Sequence, residues 1–128
     1  MSTSLVGLNR TRSLVLFGSA SRTASVNSAD QSGEGCEFLH VIIDVTEVTD
    51  TPSLVVTIQG KDPASGKYYT ILASAAITAV GTTVLKIGPA LTAAANSVAN
   101  DFVPSIWRVI VTAADTDPAI YSIGANLG

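Results

Sequence analysis

The chain has 128 residues, of which 47% are hydrophobic and only 13% charged, and its net charge is −3. That length fits one domain with a substantial core. The charge argues against a nucleic-acid surface, which needs clustered basic residues, and no apolar run approaches the ~20 residues of a membrane helix.

Charged residues stand at about half the usual ~25%. So little charge does poorly at keeping single copies apart, and a subunit of an assembly is expected. Residues 1–30 hold Arg10, Arg12 and Arg22 against Asp30, whereas the remainder holds four basic and nine acidic residues. A mildly basic start beside an acidic body can attract a neighbouring copy. The lone cysteine, Cys36, excludes an internal disulfide and a cysteine-rich metal site. The apolar run Leu14 to Phe17 is far shorter than the ~7–15 residues of a secretory h-region, so no signal peptide is expected.

Residues 1–35 are rich in Ser, Thr, Asn and Gly. Ser13 to Phe17 could form one short strand. From Gly18 to Gly35 there is almost nothing to bury, so the segment cannot offset its own ordering entropy. We expect an extended arm over 1–35, held on another surface, and a body over 36–128.

The body opens with period-two patterning. Leu39, Val41, Ile43 and Val45 alternate with His40, Ile42, Asp44 and Thr46, which predicts a strand with one face on a core. Thr49–Pro52 predicts a turn. Leu54, Val56 and Ile58 then alternate with Val55, Thr57 and Gln59. The run Lys61–Lys67 carries Pro63 and Gly66 and predicts a hairpin. Tyr69 and Ile71 alternate with Tyr68, Thr70 and Leu72. Ala75–Val80 either continues that strand or bends it, and Thr82–Ile87 is a further strand.

Residues 90–104 break the period. Ala93–Ala95 favours helix but is short, so a turn of helix or an irregular crossover is expected before Pro104. Ser105–Ala113 is a strand with Trp107, Val109 and Val111 on its core face. Asp115–Pro118 is a turn, and Ile120–Leu127 is the last strand. Six to eight strands with one long crossover predict an all-β fold, an antiparallel β-sandwich of jelly-roll or Greek-key type.

No residue set reads as catalytic. His40 is the sole imidazole, and Asp44, four residues along the same strand face, lies too far away for contact. Asp115 and Asp117 are explained by their turn. The same two residues start like a calcium loop but lack its glycine and distal glutamate. We expect no enzyme activity, no cofactor and no metal. Tyr68, Tyr69, Trp107 and Tyr121 could form a sugar-stacking platform, which keeps a carbohydrate-binding module open as a second reading, although Trp107 is expected in the core.

The phrases IQGKDPASGKYY, TAAANSVANDFVP and WRVIV, spread over residues 36–127, resemble a family of small structural proteins encoded among tailed-bacteriophage virion genes. Within it, capsid cement (decoration) proteins with a β-sandwich and an extended arm are the nearest picture. The resemblance implies a homotrimer on the outer capsid surface, contacting the major capsid protein, with no catalytic residues, no nucleic acid and no membrane. The alternative within the resemblance is another virion part, a tail-, neck- or fibre-associated β-sandwich. On this reading Leu14, Val15, Leu16 and Phe17 would add a strand or plug to a neighbour, and Arg10, Arg12 and Arg22 would pair with carboxylates there.

Overall fold

The computed structural model describes residues 11–128, which contain no helix. The strands are β1 (Arg12–Arg22), β2 (Val26–Asn27), β3 (Gln31–Ser32), β4 (Leu39–Val48), β5 (Leu54–Lys61), β6 (Tyr68–Ala73), β7 (Gly81–Gly88), β8 (Val98–Asn100), β9 (Ile106–Ala113) and β10 (Ala119–Leu127). One sheet runs β1-β10-β4-β7-β8, and the other β2-β9-β5-β6. β3 also lies on β9, so β2 and β3 are two pieces of one edge. All pairs are antiparallel except β7 with β8.

The pairing is that of a jelly roll. Take β2 and β3 as one strand and set β8 aside. The remaining strands pair first with last (β1 and β10), second with seventh (β2/β3 and β9), third with sixth (β4 and β7) and fourth with fifth (β5 and β6). Such nesting is a long hairpin wrapped over itself, joined by the β10–β4 and β9–β5 ladders.

The alternation read from the sequence fills the space between the sheets. Leu39, Val41, Ile43 and Val45 of β4 face Val56, Ile58, Trp107, Val109 and Val111 of the other sheet, all with under 2% of their surface exposed. Tyr121, Ile123, Ala125 and Leu127 supply β10's share of that core. Trp107 is fully buried, as expected for its face.

Bulges decide three places where simple alternation misleads. In β1 the register slips between Val15 and Phe17 and again between Phe17 and Ala20. Leu14 and Phe17 therefore stand opposite the core-facing Ala125 and Ile123, and both pack on the core. In β6 a slip between Ile58 and Gln59 puts Leu72 opposite Ile58 and buries it, although it alternates with Tyr69, which faces Gly60. In the β10–β4 ladder a further slip lies between Ile120 and Tyr121, where Thr46 of β4 is the extra residue. Each extra residue bends the strand and strengthens its twist.

The boundary expected at residue 35 is not a structural boundary. The described part of the supposed arm is built into both sheets. β1 pairs with β10 along its length, and β2 and β3 pair with β9. The segment Gly18–Gly35 offsets its ordering by ladder bonds and by side-chain anchors. Ser25 and Ser28 Oγ accept the N–H groups of Ala113 and Val109, and Gly33 N–H donates to Ser105 O. An added Cβ at Gly33 would run into the Pro104 carbonyl and Val103, so this close approach requires glycine.

The crossover after β7 is irregular, and helix does not form there. Pro89 removes a donor, Ala90 takes φ 62°, and Ala94 and Val98 bond each other around Asn96, also at φ 62°. Three alanines are too few to nucleate a helix against those turns. Asn96 Nδ2 donates to Ala73 O at 3.1 Å, tying the crossover to β6 and covering that side of the sandwich. Ala75–Val80 bends rather than continues. Ser74 Oγ accepts the Val56 N–H, and Ile77 returns to bridge Leu54.

Candidate interaction surfaces

The residues assigned to an intermolecular arm make intramolecular contacts. Arg10 lies outside the described residues. Arg12 donates to the backbone carbonyls of Ser32 and Glu34 and to Cys36 Sγ, and so pins β1 to the connection between β3 and β4. Leu14, Leu16 and Phe17 are partly buried against the core. Arg22 donates to Gly18 O at 2.7 Å and to Tyr121 O at 2.8 Å, and its guanidinium lies over the rings of Phe17 and Tyr121. It caps that side of the core. Burial pushes the Tyr121 phenol up, with Arg22 pulling the other way. Among the described residues of the set, Val15 alone points away, 79% exposed. For residues 12–22 to reach a neighbour, β1 would have to leave its own β10.

A polar cluster missed by sequence reasoning lies on the outer face of the β2-β9-β5-β6 sheet. Tyr68 Oη donates to Asp30 Oδ1 at 2.6 Å, and Lys61 Nζ pairs with Asp30 Oδ2 at 3.1 Å. The Arg108 guanidinium stacks 3.5 Å from the Tyr68 ring centre, and its Nε donates to Gln59. Asp30 reaches across from the β2–β3 connection, so no spacing in the sequence could have revealed the set. The Tyr68 hydroxyl and then Lys61 hold the Asp30 carboxyl below the usual carboxylate range, and Asp30 raises Lys61. A depressed folded-state value means that the carboxylate stabilises the fold above its unfolded value and ceases to as pH falls through the folded one. Asp30→Asn is therefore expected to lower the melting temperature slightly at neutral pH. The gap to the wild type should close below about pH 4, the ordinary carboxylate range. A gap that persists at pH 2 would assign the effect to something other than charge.

The residues weighed for chemistry sit apart. His40 is exposed, opposite Lys86 on β7 and Asn126 on β10. Asp115 Oδ1 accepts Asp117 N–H, while Asp117 Oδ2 accepts the Thr51 backbone N–H and hydroxyl at 3.2 Å. Both aspartates thus act as turn acceptors, and Asp117 joins two turns. Among the described residues no group of three or more His, Cys, Asp or Glu side chains is gathered as a metal cage.

The exposed apolar residues fall mostly at one end. Phe38, Tyr69, Phe102 and Ile106 are 39%, 45%, 65% and 42% exposed. They stand at the start of β4, β6 and β9 and in the β8–β9 connection, the end at which β7 and β10 finish. Phe38 lies against Gly88, where a Cβ would clash with its ring, and Asp101 N–H bonds Gly88 O. Tyr69 packs over Gly60 beside Pro104. A shallow pocket of about 200 Å³ lined by Phe38, His40, Asn126, Leu127 and Gly128 opens beside it. Arg12, opposite Leu127, puts the start of β1 at the same end.

Solved structures share this jelly roll. A SPBc2 prophage-derived protein, YomS, superposes over 92% of this chain and 93% of its own, with a TM-score of 0.54 at 10% identity. A chain in the structure of infectious bursal disease virus, Gx strain, matches 92% of this chain with a TM-score of 0.55 at 8% identity. The match takes up 32% of that viral chain. At such identities the likeness concerns the fold alone. No protein-family model matches the sequence, and no curated protein sequence matches it.

Proposed function

We propose that this chain is a structural component of a phage virion, and within that class a capsid cement protein. It would bind the assembled shell as a homotrimer on the outer surface and contact the major capsid protein. The observation that carries the reading is the apolar end formed by Phe38, Tyr69, Phe102 and Ile106 on a jelly roll poor in charge. A jelly roll shared with a prophage-derived protein and with part of a virus structure supports it. The arm-exchange component is narrowed to residues 1–10, because residues 12–22 are engaged with their own β10.

Such a subunit needs no chemistry, and none is proposed: no enzyme activity, cofactor, nucleic acid or membrane. Its action is linkage. A protein that binds only the assembled shell stabilises that state by mass action, and three joined copies gain avidity. The carbohydrate reading is weakened at its aromatic platform, since Trp107 is fully buried and Arg108 covers one face of Tyr68.

The test is co-sedimentation of the purified protein with empty shells and, separately, with tails of the encoding phage. Binding to shells, lost in a Phe102→Asp variant that melts like the wild type, is the expected outcome. Binding to tails alone would move the protein to another part of the virion. Binding to neither would reject the virion reading.

A further inference from the structure

The outer face of the β1-β10-β4-β7 sheet carries an ordered pattern that the cement reading does not use. Registers place Val15, Gly124, Ile42 and Val84 in one row across four strands. The row is apolar throughout. Val15 is 79% exposed, and Ile42, Val84 and Gly124 are half-buried. On one side runs Ser13, Asn126, His40 and Lys86, a row with only basic or neutral groups. On the other side run Ser122, Asp44 and Thr82, and then Glu47 opposite Ile120. The stripe thus divides a row holding His40 and Lys86 from a row holding Asp44, with Glu47 beyond it.

We propose that this face packs against the same face of a second copy, about a two-fold axis lying along the apolar row. Rotation about that axis keeps each strand over its own counterpart and exchanges the flanking rows. Ile42 then meets Ile42 of the other copy, and His40 stands across from Asp44, twice by symmetry. Lys86 stands across from Thr82, beside Asp44. Strands run antiparallel across the contact, which suits aligned sheet packing. The alternative axis, parallel to the strands, would set the row that holds Asp44 against itself, and the row of His40 and Lys86 against itself. Charge therefore selects between the two arrangements, and a contact made of one patch used twice closes as a pair.

Four strands about 4.8 Å apart and some nine residues at about 3.4 Å make a face of roughly 20 by 30 Å. That is about 600 Å² for each partner, below the ~800 Å² of a standard interface, so the association is weak and concentration-dependent. If the body is trimeric, the same contact joins two trimers. The inference does not depend on shell binding, because it is read from mass and cross-linking in solution.

Sedimentation velocity over a wide concentration range tests it first. Mass should double reversibly, and Ile42→Lys should raise the half-association concentration at least tenfold while melting like the wild type. Cross-linking with a short bis-maleimide fixes the geometry. The Ile42→Cys protein should link to itself. His40→Cys and Asp44→Cys should each link poorly alone and efficiently when mixed. The wild type, whose Cys36 is buried, sets the background. Self-linking of His40→Cys as strong as the mixture would overturn the axis. No doubling of mass and no link at residue 42 would overturn the contact. Doubling that appears only after residues 1–10 are removed would assign the stripe to the chain's own first residues, and would also overturn it.

Discussion

Deletion of residues 1–22 is expected to abolish cooperative folding. An arm lying on a neighbour could be removed without harm to the body, and the composition of residues 1–35 invites that expectation. The structure predicts the opposite. The deletion strips β1 from β10 and takes Leu14 and Phe17 off the core. It also removes Arg22, which covers Tyr121. Truncating a single buried Leu or Phe costs about 2–5 kcal/mol, and a domain holds only about 5–15 kcal/mol in total. Losing three partly buried side chains, Leu16 among them, with a whole strand consumes most of that margin. β10, AIYSIGANL, would then become an edge with neither charge nor proline, which is a template for aggregation. Circular dichroism melting and size-exclusion chromatography check this. A 23–128 chain that melts cooperatively near the full-length temperature would refute it. Deleting residues 1–10 alone should leave the melt intact.

Trp107→Ala should cost about 3–5 kcal/mol, the usual range for a buried aromatic. Trp107 sits opposite Gly60 and Gln31 in the middle of the β2/β3-β9-β5 sheet and is fully buried. Its cavity would open between the two sheets. Trp107→Phe should cost much less. The buried Trp107 Nε1 has no hydrogen-bond partner among the described residues, so the smaller ring leaves no new polar group unpaired. Denaturant unfolding of the two variants separates the terms. Equal losses would show that a hydrogen bond to Nε1, rather than volume, dominates the site.

The difference between what could be read early and what could not follows the range of the forces. Strand positions in β4, β5, β9 and β10 were legible because their faces alternate with period two and their ends carry Pro, Gly or Asp. The turn at Gly66, with φ 75°, is likewise a local matter. β1 was legible only as a fragment. Its bulges let Leu14 and Phe17 share a face three residues apart, which breaks the period that marks a strand. β2 and β3 were not legible. Their stability comes from pairing with β9, some eighty residues away, and serine side chains serve as anchors where apolar residues would have signalled burial.

The same division holds for surfaces. His40, Ile42 and Asp44 could be placed on one outward face from alternation alone. That Gly124, Val84 and Val15 extend Ile42 into a row is a matter of register between strands far apart in sequence. The Asp30–Lys61–Tyr68–Arg108 cluster is likewise assembled from four distant positions.

By itself, then, the sequence determined an all-β chain, its shortage of charge, and the strands and core faces of β4, β5, β9 and β10, because alternation depends on neighbours two residues apart. Only the tertiary structure decided that residues 12–35 belong to the sandwich. An isolated polar segment cannot order itself, but it can when long-range ladders supply the bonds. The jelly-roll nesting and the gathering of Phe38, Tyr69, Phe102 and Ile106 at one end were decided there too, since both arise from pairings that no local period encodes.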